Sequence, residues 1–285
     1  MILVTGAGGQ VGSAVARHLR LAGYPVLASD KGSADSEAMA ACDLRSDREV
    51  ADLFRRHEIA TVVHLAAVLP SAFRMEPLAG AEVNLGAAVR VVNAAVKSRV
   101  RRFIFASSAS VYGTAPLPAC DESVAPSPDE PYGAGKLAIE KVLEAASSVY
   151  TIEAVSLRIA RVLGPGARGS GSPWRSRIFE RPDAASNTLD IPHAPEARLS
   201  VVHVNDVARM VCALVETPRL KRTVYNTPVE LMRTDEIQRL AAESNGWRIA
   251  TGAAHGGPEI DGRRFNQDFG FANRPLREYF ADACR

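Results

Sequence analysis

A short apolar strand that runs straight into glycines spaced three apart leaves few folds open. Here Ile2-Leu3-Val4 is followed by Thr5-Gly6-Ala7-Gly8-Gly9-Gln10-Val11-Gly12, and then by the helical periodicity of Val11, Val15 and Leu19. A chain that must turn sharply, let an anion approach bare backbone and seat a helix closely on a strand needs glycine at three separated points. The helix start then offers free N–H groups and a positive dipole end to phosphate. The Gly6-x-x-Gly9-x-x-Gly12 spacing lacks the Lys-Ser/Thr of a triphosphate-hydrolysing loop, so a dinucleotide-binding turn is expected.

The pattern beyond the turn repeats the same alternation. Strands are expected at Pro25 to Ala28, Thr61 to Leu65, Arg102 to Ala106 and Ile152 to Leu157. Helices are expected around Val50 to Arg56, Ala81 to Lys97 and Tyr132 to Ala146. Continuous apolar strands separated by helices imply an α/β fold with a doubly wound parallel sheet covered on both faces. Composition changes at Gly164-Pro165-Gly166, Gly169 to Gly171 and Pro173. Residues 1–163 are therefore read as the dinucleotide-binding domain and 164–285 as a small substrate-binding region, of which 199–226 return to the core. That return is expected as the strand Leu199 to Val204, a helix from Val207 to Glu216 and the strand Val224 to Asn226, with a further helix at Thr234 to Glu243.

Composition excludes other classes. The 285 residues carry 34 Lys+Arg against 32 Asp+Glu with no long run of one sign, which argues against nucleic acid or a membrane surface as partner. No apolar run approaches the roughly 20 residues needed to cross a bilayer. Ile2-Leu3-Val4 already reads as a buried strand, leaving no room for a signal peptide, so a soluble cytoplasmic protein is expected. Cys42, Cys120, Cys212 and Cys284 lie far apart, as reduced thiols would, and His193 and His255 lack the spacing of a metal site.

Asp30 follows the second strand, where a carboxylate can accept hydrogen bonds from adenosine ribose hydroxyls and repel a 2′-phosphate, so NAD is expected over NADP. Lys31 beside it is a cation that would soften that repulsion. Tyr132 and Lys136 stand at i and i+4 in Pro131-Tyr132-Gly133-Ala134-Gly135-Lys136, on one face of a helix. A tyrosine near 10 must shift to work as acid or base at neutral pH, and an ammonium nearby stabilises its phenolate; reaching about 7 takes roughly 4 kcal/mol. The strand Arg102 to Ala106 delivers Ser107-Ser108-Ala109-Ser110 to its C-terminal end, where doubly wound sheets place ligands and a serine hydroxyl can hold a reacting oxygen.

Together these residues resemble the extended short-chain dehydrogenase/reductase superfamily, within it the NAD-dependent epimerase/dehydratase family that includes nucleotide-sugar epimerases. The resemblance extends over most of the chain through Asp43-Leu44, His64-Leu65-Ala66-Ala67, Asn84-Leu85-Gly86, Leu157-Arg158 to Gly164-Pro165 and Val202-His203-Val204-Asn205-Asp206. It implies a Rossmann domain with Ser108, Tyr132 and Lys136 as the catalytic residues. Tyr132 would move the hydroxyl proton, Ser108 orient the oxygen, and Lys136 also hold the nicotinamide ribose. It implies NAD bound by Gly6, Gly9, Gln10, Val11, Gly12, Asp30, Asp43, Leu44, Leu65, Ala66, Ala67, Asn84, Tyr132, Lys136 and Ile159. A sugar-like substrate would meet Val68, Ser108, Ser110, Arg161 and Arg175. A homodimer through the helices beginning near Ala81 and Tyr132 is also implied.

Departures from the family narrow the chemistry. Ala109-Ser110 stands where dehydratases carry Asp-Glu, and it also lacks the Glu of decarboxylating relatives and the Cys of reductase-epimerases. Simple hydride chemistry remains: an NAD-dependent oxidoreductase or epimerase acting on a sugar or nucleotide-sugar hydroxyl. Arg161 replaces the Asn usual in nucleotide-sugar epimerases, and Leu199 replaces an Arg, with Arg198 one step away. A sugar-acid (uronate-like) dehydrogenase is therefore the alternative, with Arg161, Arg175 or Arg177 able to grip a carboxylate or phosphate. A catalytically silent NAD-sensing regulator is the third reading, and His203 is read as a core residue or one that supports the site from behind.

Overall fold

The computed structural model describes residues 1–32, 39–167, 171–182 and 187–283. Gly169 and Cys284 lie outside the described residues. In chain order the first half is β1 (Ile2–Thr5), α1 (Gln10–Leu21), β2 (Val26–Asp30), β3 (Met39–Ala41), α2 (Asp47–Arg56), β4 (Thr61–His64), α3 (Pro70–Met75), α4 (Pro77–Ala81), a π-helical stretch Glu82–Ala87, and α5 (Ala88–Lys97). There follow β5 (Arg102–Ser108), a 3-10 turn Ala109–Tyr112, α6 (Pro131–Val149) and β6 (Glu153–Ile159). The remainder is β7 (Arg161–Leu163), α7 (Trp174–Arg177), β8 (Thr188–His193), β9 (Arg198–His203), α8 (Val204–Glu216), β10 (Val224–Asn226), β11 (Glu230–Arg233), α9 (Thr234–Asn245), β12 (Arg248–Ala254), α10 (Arg263–Phe269) and α11 (Leu276–Ala283).

Seven strands form one sheet in the order β10-β6-β5-β4-β1-β2-β3, all parallel. The chain winds outward from β1 in both directions, so the crevice at the C-terminal ends of β1 and β4 is the switch point where such sheets bind ligands. Strand residues such as Leu3, Val4, Val62, Val63, Phe103 and Ile104 are almost wholly buried, because helices cover both faces. One layer packs Val15 and Leu19 of α1 with Val207, Val211 and Leu214 of α8; the other packs α2, α5 and α6 around Phe54, Val91, Ile139 and Leu143.

The helices start and stop for local reasons. Ser46 accepts the Glu49 N–H at the start of α2, while Pro131 sets the first turn of α6, where its missing N–H is no loss. Arg102 closes the sheet from below: its Nη1 donates to the carbonyls of Leu214, Val215 and Thr217 at the C-terminal end of α8, and its Nη2 meets Glu153 at 2.6 Å. A buried cation there satisfies carbonyls that the helix leaves unpaired.

The second region differs from the expectation in one respect. Residues 204–226 do return to the core through α8 and β10, but β9 does not join the large sheet. It pairs with β7 and antiparallel with β11 in a three-stranded sheet, while β8 and β12 form a parallel pair. While Val202 packs with the α1 and α8 layer, Leu199 and Val201 are buried in a third cluster around Trp174, Ile178, Phe179, Ile191, Ile237, Trp247 and Phe280. His203 lies in that packing, stacked on Tyr279 with centroids 3.6 Å apart, as the reading of it as a core residue expects.

Candidate active site

The glycine turn lies across the mouth of the switch point. Gly6 has a positive φ of 70°, and a Cβ there would stand 2.6 Å from the Ala66 nitrogen; at Gly12 it would stand 2.0 Å from the Gly6 carbonyl oxygen. Both positions therefore exclude any side chain, the first through backbone conformation and the close approach of the β4 exit, the second through the packing of α1 on the turn. The first turn of α1 has neither a side-chain cap nor an acidic residue, so its free N–H groups and positive end are unopposed. That arrangement suits a diphosphate.

Asp30 leaves the end of β2 and turns toward the same point: its Oδ2 accepts the Gly8 N–H at 2.9 Å and its Oδ1 the Lys31 N–H at 2.8 Å. Asp43 lies past β3, its carboxyl held down to about 2 by the hydrogen bonds of Arg45, and Leu44 packs at the edge of the α2 layer. Leu65 donates its N–H to the Thr5 carbonyl, which brings Leu65-Ala66-Ala67 alongside the turn. Ile159 ends β6 at the same edge of the sheet, and Val11 packs into the core below the turn.

Two residues expected at the cofactor also hold backbone groups of the protein. Gln10 donates its side-chain amide to the Gly164 and Pro165 carbonyls, which ties the second region to the glycine turn. Asn84 is buried on the π-helical stretch, with its Oδ1 accepting the Val68 N–H at 2.7 Å and its Nδ2 donating to the Val68 carbonyl at 2.9 Å. Asn84 thus clasps the Val68 backbone.

Ser108 ends β5. Its Oγ accepts the Ser110 N–H and donates to the Ser110 hydroxyl, both at 3.1 Å, so the two serines present their oxygens together. Tyr132 approaches from the first turn of α6, which is pressed onto this serine turn so closely that a Cβ at Gly133 would stand 2.3 Å from the Ser110 carbonyl oxygen. Lys136, one helical turn on, is almost wholly buried, donates Nζ to the Ala106 carbonyl at 2.7 Å and lies 5.7 Å from the Tyr132 ring centroid.

The charges depart from expectation here. Burial pushes the Tyr132 phenol up to about 12, and the groups that oppose the rise are the Ser108 hydroxyl and the Arg175 charge, not Lys136. Burial likewise pulls Lys136 down to about 7, against the pull of Glu140. The physical reason is shared desolvation: phenol and ammonium lie in the same water-poor cleft, where each disfavours its charged form, and the ammonium is turned to a backbone carbonyl. In this state Tyr132 is a neutral phenol.

Behind the site lies a network that local sequence pattern did not single out. Glu140 continues the buried stripe of α6 at the spacing Tyr132, Lys136, Glu140, and its carboxylate is gripped by Arg158 at 2.7 Å and 3.0 Å. Ser107 donates its hydroxyl to the same carboxylate, and Arg158 Nη1 donates to the Tyr112 hydroxyl at 2.8 Å, which in turn donates to Asn226. The turn that carries Ser108 and Ser110 is thereby pinned at both ends, at Ser107 and at Tyr112, to one ion pair. Only the i+8 position of Glu140 was visible in the sequence; its partner sits on another strand.

Arg161 and Arg175 come together on the side of the second region. Burial draws Arg161 down to about 9, with the Arg175 charge adding to it, and burial draws Arg175 down to about 10 against the pull of Tyr132. Arg177 is placed elsewhere, over the Trp247 ring.

This geometry has known counterparts. The NAD dependent epimerase/dehydratase family matches residues 2–227. The UDP-glucose 4-epimerase of Azospirillum brasilense is 29% identical over 230 residues, which are 73% of this chain and 66% of that protein. The chain spans about half to two thirds of the length of the curated relatives it matches, at 66%, 54% and 52% for three of them. MoeE5, solved in complex with UDP-glucose and NAD, is 30% identical with a TM-score of 0.85 over 99% of this chain and 97% of its own. A GalE-like L-threonine dehydrogenase from Cupriavidus necator, at 24% identity, shares the fold with a TM-score of 0.89 over 99% and 98%. The matched residues take in the glycine turn, the serine turn and the Tyr-Lys helix, and the chain belongs to the NAD dependent epimerase/dehydratase family.

Proposed function

We propose that this protein is an NAD-dependent oxidoreductase or epimerase that acts on a hydroxyl of a sugar-like small molecule. The observation that carries the reading is the convergence of Ser108, Tyr132 and Lys136 beside a glycine turn whose bare backbone and uncapped helix suit a dinucleotide diphosphate. Gly6, Gly9 and Gly12 would hold the diphosphate, Asp30 the adenosine ribose and Lys136 the nicotinamide ribose. When bound, NAD would accept or return a hydride at the carbinol carbon. Ser108 holds the substrate oxygen, with Ser110 supporting its hydroxyl. Tyr132, a phenol at rest, gives its proton to an oxygen that is gaining negative charge, and takes it back in the reverse direction. As the phenolate forms, Arg175 stabilises it.

Two of the named relatives, the Azospirillum brasilense UDP-glucose 4-epimerase and MoeE5 solved with UDP-glucose and NAD, support the sugar-like substrate. Homodimer formation through α5 and α6 is part of the reading, supported by the exposed apolar side chains Val89 and Val142 on those helices. A cytoplasmic location is read from the free thiols Cys42, Cys120 and Cys212, and among the described residues no helix is long and apolar enough to cross a membrane.

The experiment is to follow reduced-nicotinamide absorbance with NAD and a panel of sugars, sugar acids and nucleotide sugars, while assaying epimer formation in the same tubes. Turnover that Tyr132→Phe lowers by about 10²-fold or more is the expected result. Full turnover in Tyr132→Phe overturns the assignment.

A further inference from the structure

The second region sets two guanidinium groups near the tyrosine, and no acid among the described residues meets them. Arg161 leaves the first position of β7 and donates Nη2 to the Gly256 carbonyl at 3.2 Å, while its Nε is buried without a partner. Arg175, on α7, also has a buried, unpartnered Nε, and its guanidinium lies 5.9 Å from the Trp174 ring centroid. Neither forms an ion pair with any described residue, whereas Arg102, Arg158 and Arg274 all meet carboxylates. The other titratable groups facing them are Tyr132 and His193. Burial, with the Arg161 and Arg175 charges adding to it, holds His193 below its ordinary value, and its Nδ1 lies 2.9 Å from the His255 carbonyl.

Two like charges that act on one another, with their Nε atoms out of water and no counter-ion among the described residues, oppose folding. A natural sequence keeps such a pair where a ligand completes it, since function is the usual reason for a destabilised cluster. The missing group is an oxyanion that accepts from the unpaired Nε atoms, and guanidinium forks match carboxylate and phosphoryl oxygens in shape. Its place is next to the reacting oxygen, because Arg175 is close enough to Tyr132 to favour its phenolate.

We infer that Arg161 and Arg175 form an oxyanion subsite beside Tyr132, so that the alcohol handled by this enzyme is carried on an acidic substrate. The inference deepens the proposed function and rests on Tyr132 as the acid/base. A carboxylate on a sugar acid and a phosphoryl group on a sugar phosphate share the required chemistry.

The test is a thermal-shift and calorimetric titration of the protein, with and without NAD, using D-glucuronate, D-glucose 6-phosphate and D-glucose as probes. At least one acid is expected to bind about tenfold or more tightly than glucose, as charge-assisted hydrogen bonds would give. Which acid wins identifies the carboxylate or the phosphoryl source. Arg175→Met is expected to raise the melting temperature of the ligand-free protein, by removing an uncompensated charge, and to abolish the shift given by the acid. Arg161→Gln is expected to weaken acid binding while NAD affinity stays the same. Acids that bind no better than glucose overturn the inference. So does an Arg175→Met variant that melts lower yet keeps the acid-induced shift, since that marks a structural role. Failure to bind NAD would instead strike at the proposed function, and the acid-against-glucose comparison without cofactor would still decide the subsite.

Discussion

Glu140 on α6 and Arg158 on β6 form an ion pair at 2.7 Å with both side chains almost wholly out of water, and this pair holds the turn that carries Ser108 and Ser110. Removing one partner leaves a buried charge alone, which costs about 3–5 kcal/mol. Glu140→Ala is therefore expected to lower the melting temperature strongly. The milder Glu140→Gln, which keeps the shape, is expected to lower kcat more than it raises KM because the serine turn loses its anchor. Denaturation and steady-state kinetics on the two variants check this.

Two glycines in one helix make opposite predictions. A Cβ at Gly133 would meet the Ser110 carbonyl at 2.3 Å, so Gly133→Ala is expected to push α6 off the serine turn and destabilise by about 1–3 kcal/mol, with loss of activity. At Gly135 the nearest atom is Leu85 Cγ at 3.7 Å, an ordinary contact. Gly135→Ala is expected to stabilise by up to about 1 kcal/mol through helix propensity and to keep activity. Urea unfolding of both variants separates them.

Acid stability depends on buried histidine. His203 is pulled down to about 3 by burial, with Arg274 adding to it, from an ordinary 6.5. Between these values the unfolded chain binds the proton and the folded one does not. Stability is therefore full above about 6.5 and is lost as pH falls toward 3, by on the order of 5 kcal/mol from this group. His203→Phe, which keeps the stacking on Tyr279, is expected to flatten that acid slope. Urea midpoints at pH 7 and pH 4.5 measure it.

Asp30 is the residue that should set cofactor choice. Its Oδ2 already accepts the Gly8 N–H, which aims the carboxylate at the glycine turn. Asp30→Ala is expected to weaken NAD binding about tenfold and to narrow the preference over NADP, since hydrogen bonds to a charged group are worth about 1.5–3 kcal/mol. Fluorescence titration with the two reduced cofactors is the check; unchanged affinity for both removes the ribose contact.

Much of the frame was legible locally. The glycine spacing marked the turn, the alternation of buried strands and amphipathic helices marked the parallel sheet, and the i, i+4 spacing brought Tyr132 and Lys136 to one face. Short pieces were less legible: β3, β7, β8, β11 and β12 have three to seven residues and sit in small sheets or at an edge, where alternation is too brief to show. The apolar run in β9 read as core sheet because hydrophobicity reports burial without saying against what.

Sequence by itself determined the fold, the glycine turn and the placing of Tyr132 and Lys136 on one helix face, because each depends on residue spacing within one strand or helix turn. Tertiary structure decided the electrostatics. It buried Lys136 against Ala106, so that desolvation outweighs the field it was expected to exert on Tyr132. It also brought Arg158 to Glu140 across 18 positions and set Arg175 near Tyr132 across the two regions. Charge acts through space and through the loss of water, and neither quantity is written in the order of residues along the chain.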